Sequence, residues 1–267
     1  MDRIYQYAHE IERLAPWFQN LHLPDGSQTA PAHALGDFPS ALWQKIEPFV
    51  PADLDGWTAL DIGCNAGFYS FELARRGAQV TAIDGDPHCL RQARWAATQL
   101  GLESAIEFHE MQVYDLARWS HTFDLVCFMD VFYRLRYPLL ALDIVRQLTG
   151  RMLVFQTMTV PGDEVTEPPA DCNIAERELK LKPSWPKMAF IERAMEGDLA
   201  NWWAADHACV EALLRTAGFE RVRRIAPEIY LAEPSPFRPT TAGESLGAQY
   251  QAASGSGRWD EQPGFAE

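Results

Sequence analysis

Seven short apolar runs punctuate the chain between Thr58 and Glu233, most of them separated by amphipathic stretches with helical spacing. TALDI (58–62) is followed by FYSFELARRGA, stopped at Gly77, and AQVTAID (78–84) by CLRQARWAATQL, ending at Gly101. AIEFHEM (105–111) and FDLVCFM (123–129) come next, then LLALDIVRQL as a helix and RMLVFQT (151–157) as a strand. CVEALLRTAGF predicts a further helix, and ERVRRIA and EIYLAE predict the last two strands. Strands alternating with helices of this length form stacked βαβ units. The expected fold is therefore α/β, with a doubly wound, seven-stranded, mostly parallel sheet.

Three regions depart from that rhythm. Residues 1–50 form an N-terminal extension or cap, in which Ile4, Tyr7, Ala8, Ile11 and Leu14 recur at helical spacing and predict a helix before Pro16. A loop rich in Pro, Gly and Ala follows, then a short helix around Ala41 to Pro48. Residues 161–205 interrupt the main domain (51–233) with Pro161, Pro168, Pro169, Pro183 and Pro186, three tryptophans and a helical stretch around Met188 to Met195. This insertion is expected to act as a lid, because its aromatics need a surface to pack on. Residues 234–267 are polar and rich in Gly and Ser, which predicts a mobile tail.

Composition narrows the class. The apolar fraction of 47% suits a folded domain with a core, and no run of about 18 apolar residues is present to span a membrane. The N-terminal residues carry acids within their apolar pattern, unlike a signal peptide, so a cytoplasmic location is expected. Cys64, Cys89, Cys127, Cys172 and Cys209 are scattered and form no CxxC pair, which argues against a disulfide framework or structural zinc. Lys and Arg are outnumbered 23 to 37, giving a net charge of -14 and disfavouring a polyanionic partner such as nucleic acid.

The chemistry concentrates in LDIGCNAGFYS (60–70), an acid at the end of a buried strand followed by a glycine turn and a helix. Such turns at the edge of a parallel sheet form ligand crevices. A dinucleotide fold spaces its glycines G-x-G-x-x-G, but here those positions are Gly63, Asn65 and Phe68, so a nicotinamide or flavin enzyme is disfavoured. Methyltransferases instead place an acid two residues before the first Gly, as Asp61 stands before Gly63, with Gly67 completing the turn. Asp61 can order the loop or, through water, meet the ammonium of a methionine moiety. VTAID ends the second strand at Asp84, about 20 residues on, where a carboxylate can accept from both ribose hydroxyls. Capping of the helix near Pro87 is the alternative use of Asp84.

Residues 58–160 resemble the class I S-adenosylmethionine-dependent methyltransferases, a Rossmann-like fold. LDIGCNAGFYS with GAQVTAID looks like the first two motifs, EMQVYDL like the third, and FDLVCFMDVFYRL like the fourth. The resemblance implies S-adenosylmethionine as cofactor and S-adenosylhomocysteine as product, with Asp61, Gly63, Asn65, Gly67 and Asp84 binding it. Gln112, in place of the usual acid, and Val113 would flank the adenine, with Met129 on the cofactor side. A closer likeness is to the tRNA wobble-uridine carboxymethyltransferases (CmoB-like enzymes), carried by DLDGWTALDIG, VFYRLRYPL and LVFQTMTVPGDE. It aligns Trp43 and Tyr133 with a cofactor-side tryptophan and tyrosine. Relatives carry Gly and His where this chain has Asp130 and Arg134. No lysine in HLPDGSQTAPAHALGDF matches the basic residues that hold a carboxylated cofactor, so plain methyl transfer is the expected reaction.

Methyl transfer from an activated sulfonium needs the acceptor aligned and, for a hydroxyl or protonated amine, a proton removed. Asp130 and Tyr133, just after the fourth strand, are the candidate catalytic residues, with helix capping and core packing as their structural alternatives. His22 and His207 (and His33) titrate near neutrality, and Trp202 and Trp203, with Trp17, Phe18 and Trp185, lie outside the sheet. His22, Trp202, Trp203 and His207 are therefore the candidate substrate-binding residues. The expected acceptor is a small molecule of apolar, aromatic or cationic character. A tRNA-modifying transferase and a catalytically idle binding protein are the alternatives, and no metal is expected.

Overall fold

A computed structural model describes residues 6–164, 172–183, 185–195, 197–236 and 243–256. The seven apolar runs form β1 (Thr58–Ile62), β2 (Gln79–Asp84), β3 (Ile106–Glu110), β4 (Phe123–Phe128), β5 (Thr149–Gln156), β8 (Phe219–Ala226) and β9 (Ile229–Pro234). They make one sheet in the order β3-β2-β1-β4-β5-β9-β8, with β6 (Met188–Phe190) and β7 (Trp203–Ala205) as a separate pair. β1 pairs in parallel with β2 and β4, and β2 with β3. β9 runs antiparallel to both β5 and β8. Ala59 to Ile62 are all buried, as a strand covered on both faces requires.

The chain divides into two compact units. The first gathers the chain up to Val113 together with Phe123–Phe128. It holds α1 (Ala8–Arg13), α2 (Phe38–Ile46), α3 (Phe68–Ala74) and α4 (Pro87–Leu100). Pro87 stands at the first position of α4, the Asp86 carboxylate accepts the His88 N–H, and Gly101 ends the helix at φ 68. The N-terminal segment is fixed by α4: the Gln92 amide donates to the carbonyls of Leu14 and Pro16 at 2.7 and 2.8 Å. Ile4, which the helical pattern includes, lies outside the described residues.

The second unit gathers Tyr114–Thr122 and the chain from Met129 on, including α5 (Pro138–Leu148), α6 (His207–Ala217) and α7 (Gly243–Ser254). Asp206 caps α6 by accepting the Cys209 N–H at 2.7 Å, and Gly218 ends it at φ 100. Two sequence expectations are corrected here. The stretch predicted helical around Met188 to Met195 begins as β6, whose Met188, Ala189 and Phe190 pair with Ala205, Ala204 and Trp203. A short apolar run fits either state, and the partner strand decides it. The tail predicted mobile contains α7, which packs against α5 and buries Tyr250. Residues 237–242 and 257–267 of that tail, and Pro168 and Pro169 of the insertion, lie outside the described residues.

Candidate functional site

In the first unit the β1–α3 turn is held open by backbone that only certain residues adopt. Gly63, Asn65 and Gly67 all have left-handed φ, at 73°, 51° and 96°. Gly67 is doubly constrained, since a Cβ there would come within 2.7 Å of the Phe71 ring. The N–H groups of Gly63 and Cys64 both donate to the Ile83 carbonyl at the end of β2. That of Asn65 donates to Asp84 Oδ2 at 2.8 Å. The buried N-terminus of α3 receives no side-chain cap from Gly67. Gln19 supplies one from the N-terminal extension, its Oε1 accepting the Phe68 N–H at 3.1 Å.

Asp61 is buried, and Ser70 Oγ donates to its Oδ2 at 2.6 Å. Burial raises its pKa to about 6; the Ser70 hydroxyl opposes that rise, and the charge of Asp84 adds to it. The Ser70–Asp61 bond ties the end of β1 to the first turn of α3 across the glycine turn. Asp84 is not the cap of α4, because Asp86 is. Its Oδ1 accepts the Asp86 N–H and its Oδ2 the Asn65 N–H, both at 2.8 Å. A carboxylate offers about four acceptor positions, and the backbone N–H groups of Asp86, Asn65 and Gly85 take up only part of them. Burial raises the pKa of Asp84, with the backbone N–H groups of Asp86 and Asn65 acting against it. Gln112 lies over the following turn: a Cβ on Gly85 would come within 2.1 Å of its Nε2, so this side chain has its place only because residue 85 is glycine. Val113 beside it is buried.

Trp43 lies against Tyr69, two residues beyond Gly67, with ring centroids 6.5 Å apart. It is buried in α2 beneath the Arg76 guanidinium, 4.7 Å over its ring, and its Nε1 has no hydrogen-bond partner among the described residues. With His22, Phe68, Phe71, Glu72 and Arg75 it lines a cavity of about 280 Å³ that none of Gly63 to Gly67 lines. His22 also pairs with Asp37 at 2.8 Å. Trp17 packs on Trp95 and donates to the Ile11 carbonyl, so it fastens the extension, whereas Phe18 clusters with His33 and Phe38 and stays partly exposed.

In the second unit, Asp130 follows the buried Met129 at φ 59, and its N–H donates to Gln156 Oε1 at 2.8 Å. A left-handed position suits glycine. Val131 precedes the 3-10 turn Phe132–Arg134 without a side-chain cap, so Asp130 caps no helix there. The Tyr133 hydroxyl lies 3.4 Å from Asp130 Oδ1. Burial raises the pKa of Asp130; Arg134 opposes this and Glu228 reinforces it. Burial, then the Asp130 charge, pushes Tyr133 up to about 12, so its phenol stays protonated.

The insertion is tied to this segment at three points. The Trp202 N–H donates to the Tyr133 carbonyl at 2.9 Å, Trp203 Nε1 to the Leu135 carbonyl at 2.9 Å, and Arg134 to Asp198 at 2.5 Å. Trp202 also lies under Arg136 and stacks with Phe190. His207 is buried, hydrogen-bonded to the Tyr230 hydroxyl, and its pKa is lowered chiefly by burial. Among the described residues, no group of three or more His, Cys, Asp or Glu could hold a metal ion, and no helix is long and apolar enough to cross a membrane.

Residues 59–148 match the family described as "Methyltransferase domain". A curated relative from Pseudomonas putida (strain W619), "tRNA U34 carboxymethyltransferase", is 26% identical over 208 residues, covering 77% of this chain and 58% of the relative. The "Ubiquinone biosynthesis O-methyltransferase" of Cereibacter sphaeroides is 36% identical over 110 residues, 40% of this chain and 44% of its own. The chain thus spans less than two thirds of these relatives' length. The N-terminal domain of EvdMO1, solved with SAH and D-fucose, is 19% identical with a TM-score of 0.53, covering 87% of this chain and 95% of that one. A putative S-adenosylmethionine-dependent methyltransferase from Listeria monocytogenes is 15% identical, also at 0.53, covering 73% and 99%. The fold is that of the class I methyltransferases.

Proposed function

We propose that the protein is an S-adenosylmethionine-dependent methyltransferase acting on a small-molecule acceptor, with its cofactor bound by the β1–α3 turn. The observation that carries this reading is Asp84. It holds the turn through Asn65, leaves α4 to be capped by Asp86, and keeps acceptor capacity for a ribose diol. Gly63, Asn65 and Gly67 give close approach to backbone, and Gln112 with Val113 offers an amide and an apolar face for the adenine. Asp61 holds the loop through Ser70.

The cofactor, when bound, supplies a methyl group already activated on a sulfonium, which leaves the chain to align the acceptor and take its proton. Asp130 is the base: burial raises its pKa toward neutrality, where a general base works best. Tyr133 serves as a donor that orients the Asp130 carboxylate, since its own proton is held too tightly to be lost. The Trp202 and Trp203 rings give the insertion an apolar, stacking face for an acceptor. His22 pairs with Asp37 and lines the Trp43 cavity.

Transfer to a tRNA nucleoside is the second reading, favoured by the names of the curated relatives and opposed by the net charge of -14. Calorimetry with S-adenosylhomocysteine, followed by labelled methyl transfer to a panel of phenols, amines and bulk tRNA, tests both. Absence of S-adenosylhomocysteine binding would end the cofactor assignment, and labelling of tRNA alone would replace the small-molecule reading with the second.

A further inference from the structure

Asp130 is held at a backbone angle that an L residue adopts only when its surroundings fix it. The surroundings form a chain of hydrogen bonds with a fixed direction. A backbone N–H can only donate, so Gln156 must turn its Oε1 toward Asp130, which accepts that N–H at 2.8 Å. The Gln156 NH2 is thereby turned the other way, where it donates to Glu228 Oε2 at 3.2 Å. The other carboxylate oxygen, Oε1, accepts the Thr159 N–H at 3.0 Å, a second obligatory donor. The Glu228 carbonyl accepts the Thr157 N–H at 3.3 Å, which fastens its own backbone beside the end of β5.

Both oxygens of residue 228 must therefore accept, and on different sides. An amide at this position has one oxygen and one NH2. Whichever way it turns, its NH2 faces either the Thr159 N–H or the Gln156 NH2. Turning Gln156 to relieve that contact sets its own NH2 against the Asp130 N–H. Only an acceptor at both ends of residue 228 satisfies the chain from Thr159 to Asp130.

We infer that Glu228, in the turn between β8 and β9, is a positioning residue. Through Gln156 it fixes the left-handed backbone of Asp130 and so the direction of its carboxylate. This rests on the reading of Asp130 as the base, but the relay itself can be tested apart from it. The polarity argument supplies the test. In the swapped pair Glu228→Gln with Gln156→Glu, the new carboxylate at 156 accepts from both Asp130 and the amide at 228, whose oxygen accepts from Thr159. The relay is rebuilt in reverse.

The experiment measures Asp130 amide hydrogen exchange by NMR and methyl-transfer kinetics on the full chain for the two single variants and the swap. Each single variant should speed Asp130 exchange by about tenfold or more and lower kcat by about tenfold with the KM for S-adenosylmethionine unchanged. The swap should return Asp130 exchange to within about threefold of the parent, while kcat need not recover because the Gln156 amide also hydrogen-bonds the Asp130 carboxylate. Unchanged exchange in the single variants, or exchange in the swap as fast as in either, overturns the inference. Where a single variant does not fold, the swap alone decides: it must fold and exchange as the parent does. A parental rate in Asp130→Asn overturns the base reading only, and the exchange pattern still decides the relay.

Discussion

Gln19 and Phe68 stand 49 residues apart in sequence, yet the Gln19 side-chain oxygen accepts the Phe68 N–H at 3.1 Å in a buried setting. The N-terminal extension thus completes the first turn of the helix that begins at the glycine turn. Gln19→Leu keeps most of the volume and removes the acceptor. It should cost about 1–3 kcal/mol of stability, because a buried donor is left unsatisfied. Urea unfolding measures this, and an unchanged midpoint would show that water caps α3 as well as Gln19 does.

Asp61 gives a prediction with a definite sign. Its pKa is raised from 3.8 to about 6 by burial, so the folded chain retains a proton that the unfolded chain has already lost in that window. Stability contributed by this group therefore falls as pH rises from 3.8 to about 6 and stays low above it. Asp61→Asn still accepts from Ser70 and carries no charge, so it should stabilise the ligand-free protein at neutral pH by up to about 3 kcal/mol. The advantage should shrink toward about pH 4. A variant less stable than the parent at about pH 7.5 would mean that the carboxylate is not a buried charge at all.

Asp84 and Asp86 can be separated by paired variants. Asp86→Ala removes the α4 cap and should cost about 0.5–2 kcal/mol of stability while changing S-adenosylhomocysteine affinity little. Asp84→Ala should weaken that affinity by about 1–3 kcal/mol. Calorimetry on both decides it; equal losses of affinity would assign the effect to the shared turn and not to ribose recognition.

The legible parts of this protein are those encoded by neighbours in sequence. β1, the Gly63–Gly67 turn and Asp84 could be found because the strand pattern, the glycines and the acids follow one another within single βα units. Gln19, Gln156 and Glu228 left no such mark, since each acts through one side chain on a distant segment; the Gln156–Glu228 bond closes a separation of 72 residues. Gly85 could have been noticed, because a glycine directly after the acid that ends β2 signals a side chain crossing the backbone there. β6 was hidden because its helical alternative is equal in local propensity, and α7 because a weakly patterned segment says little about the surface that buries Tyr250.

The Asp130 carboxylate carries the last prediction, which separates chemistry from cofactor binding. Burial raises its pKa, the Arg134 guanidinium opposes that, and Glu228 adds to it, while the Tyr133 hydroxyl hydrogen-bonds the ionised form. A base must be ionised to act, so the methyl-transfer rate should fall on the acidic side, with a midpoint above the ordinary carboxylate value of 3.8. Asp130→Asn should lose that limb and about 10²–10⁴-fold in kcat, with S-adenosylhomocysteine affinity close to the parent's. Tyr133→Phe removes only the orienting donor, so its loss should be smaller and its acidic limb should remain, displaced upward because one bond to the ionised carboxylate is gone. The pair of profiles is more discriminating than either rate. An Asn variant that keeps the acidic limb would show that another group takes the proton. Parental rates in both variants would return Asp130 and Tyr133 to a structural role, and the acceptor would then belong against the Trp202 and Trp203 rings.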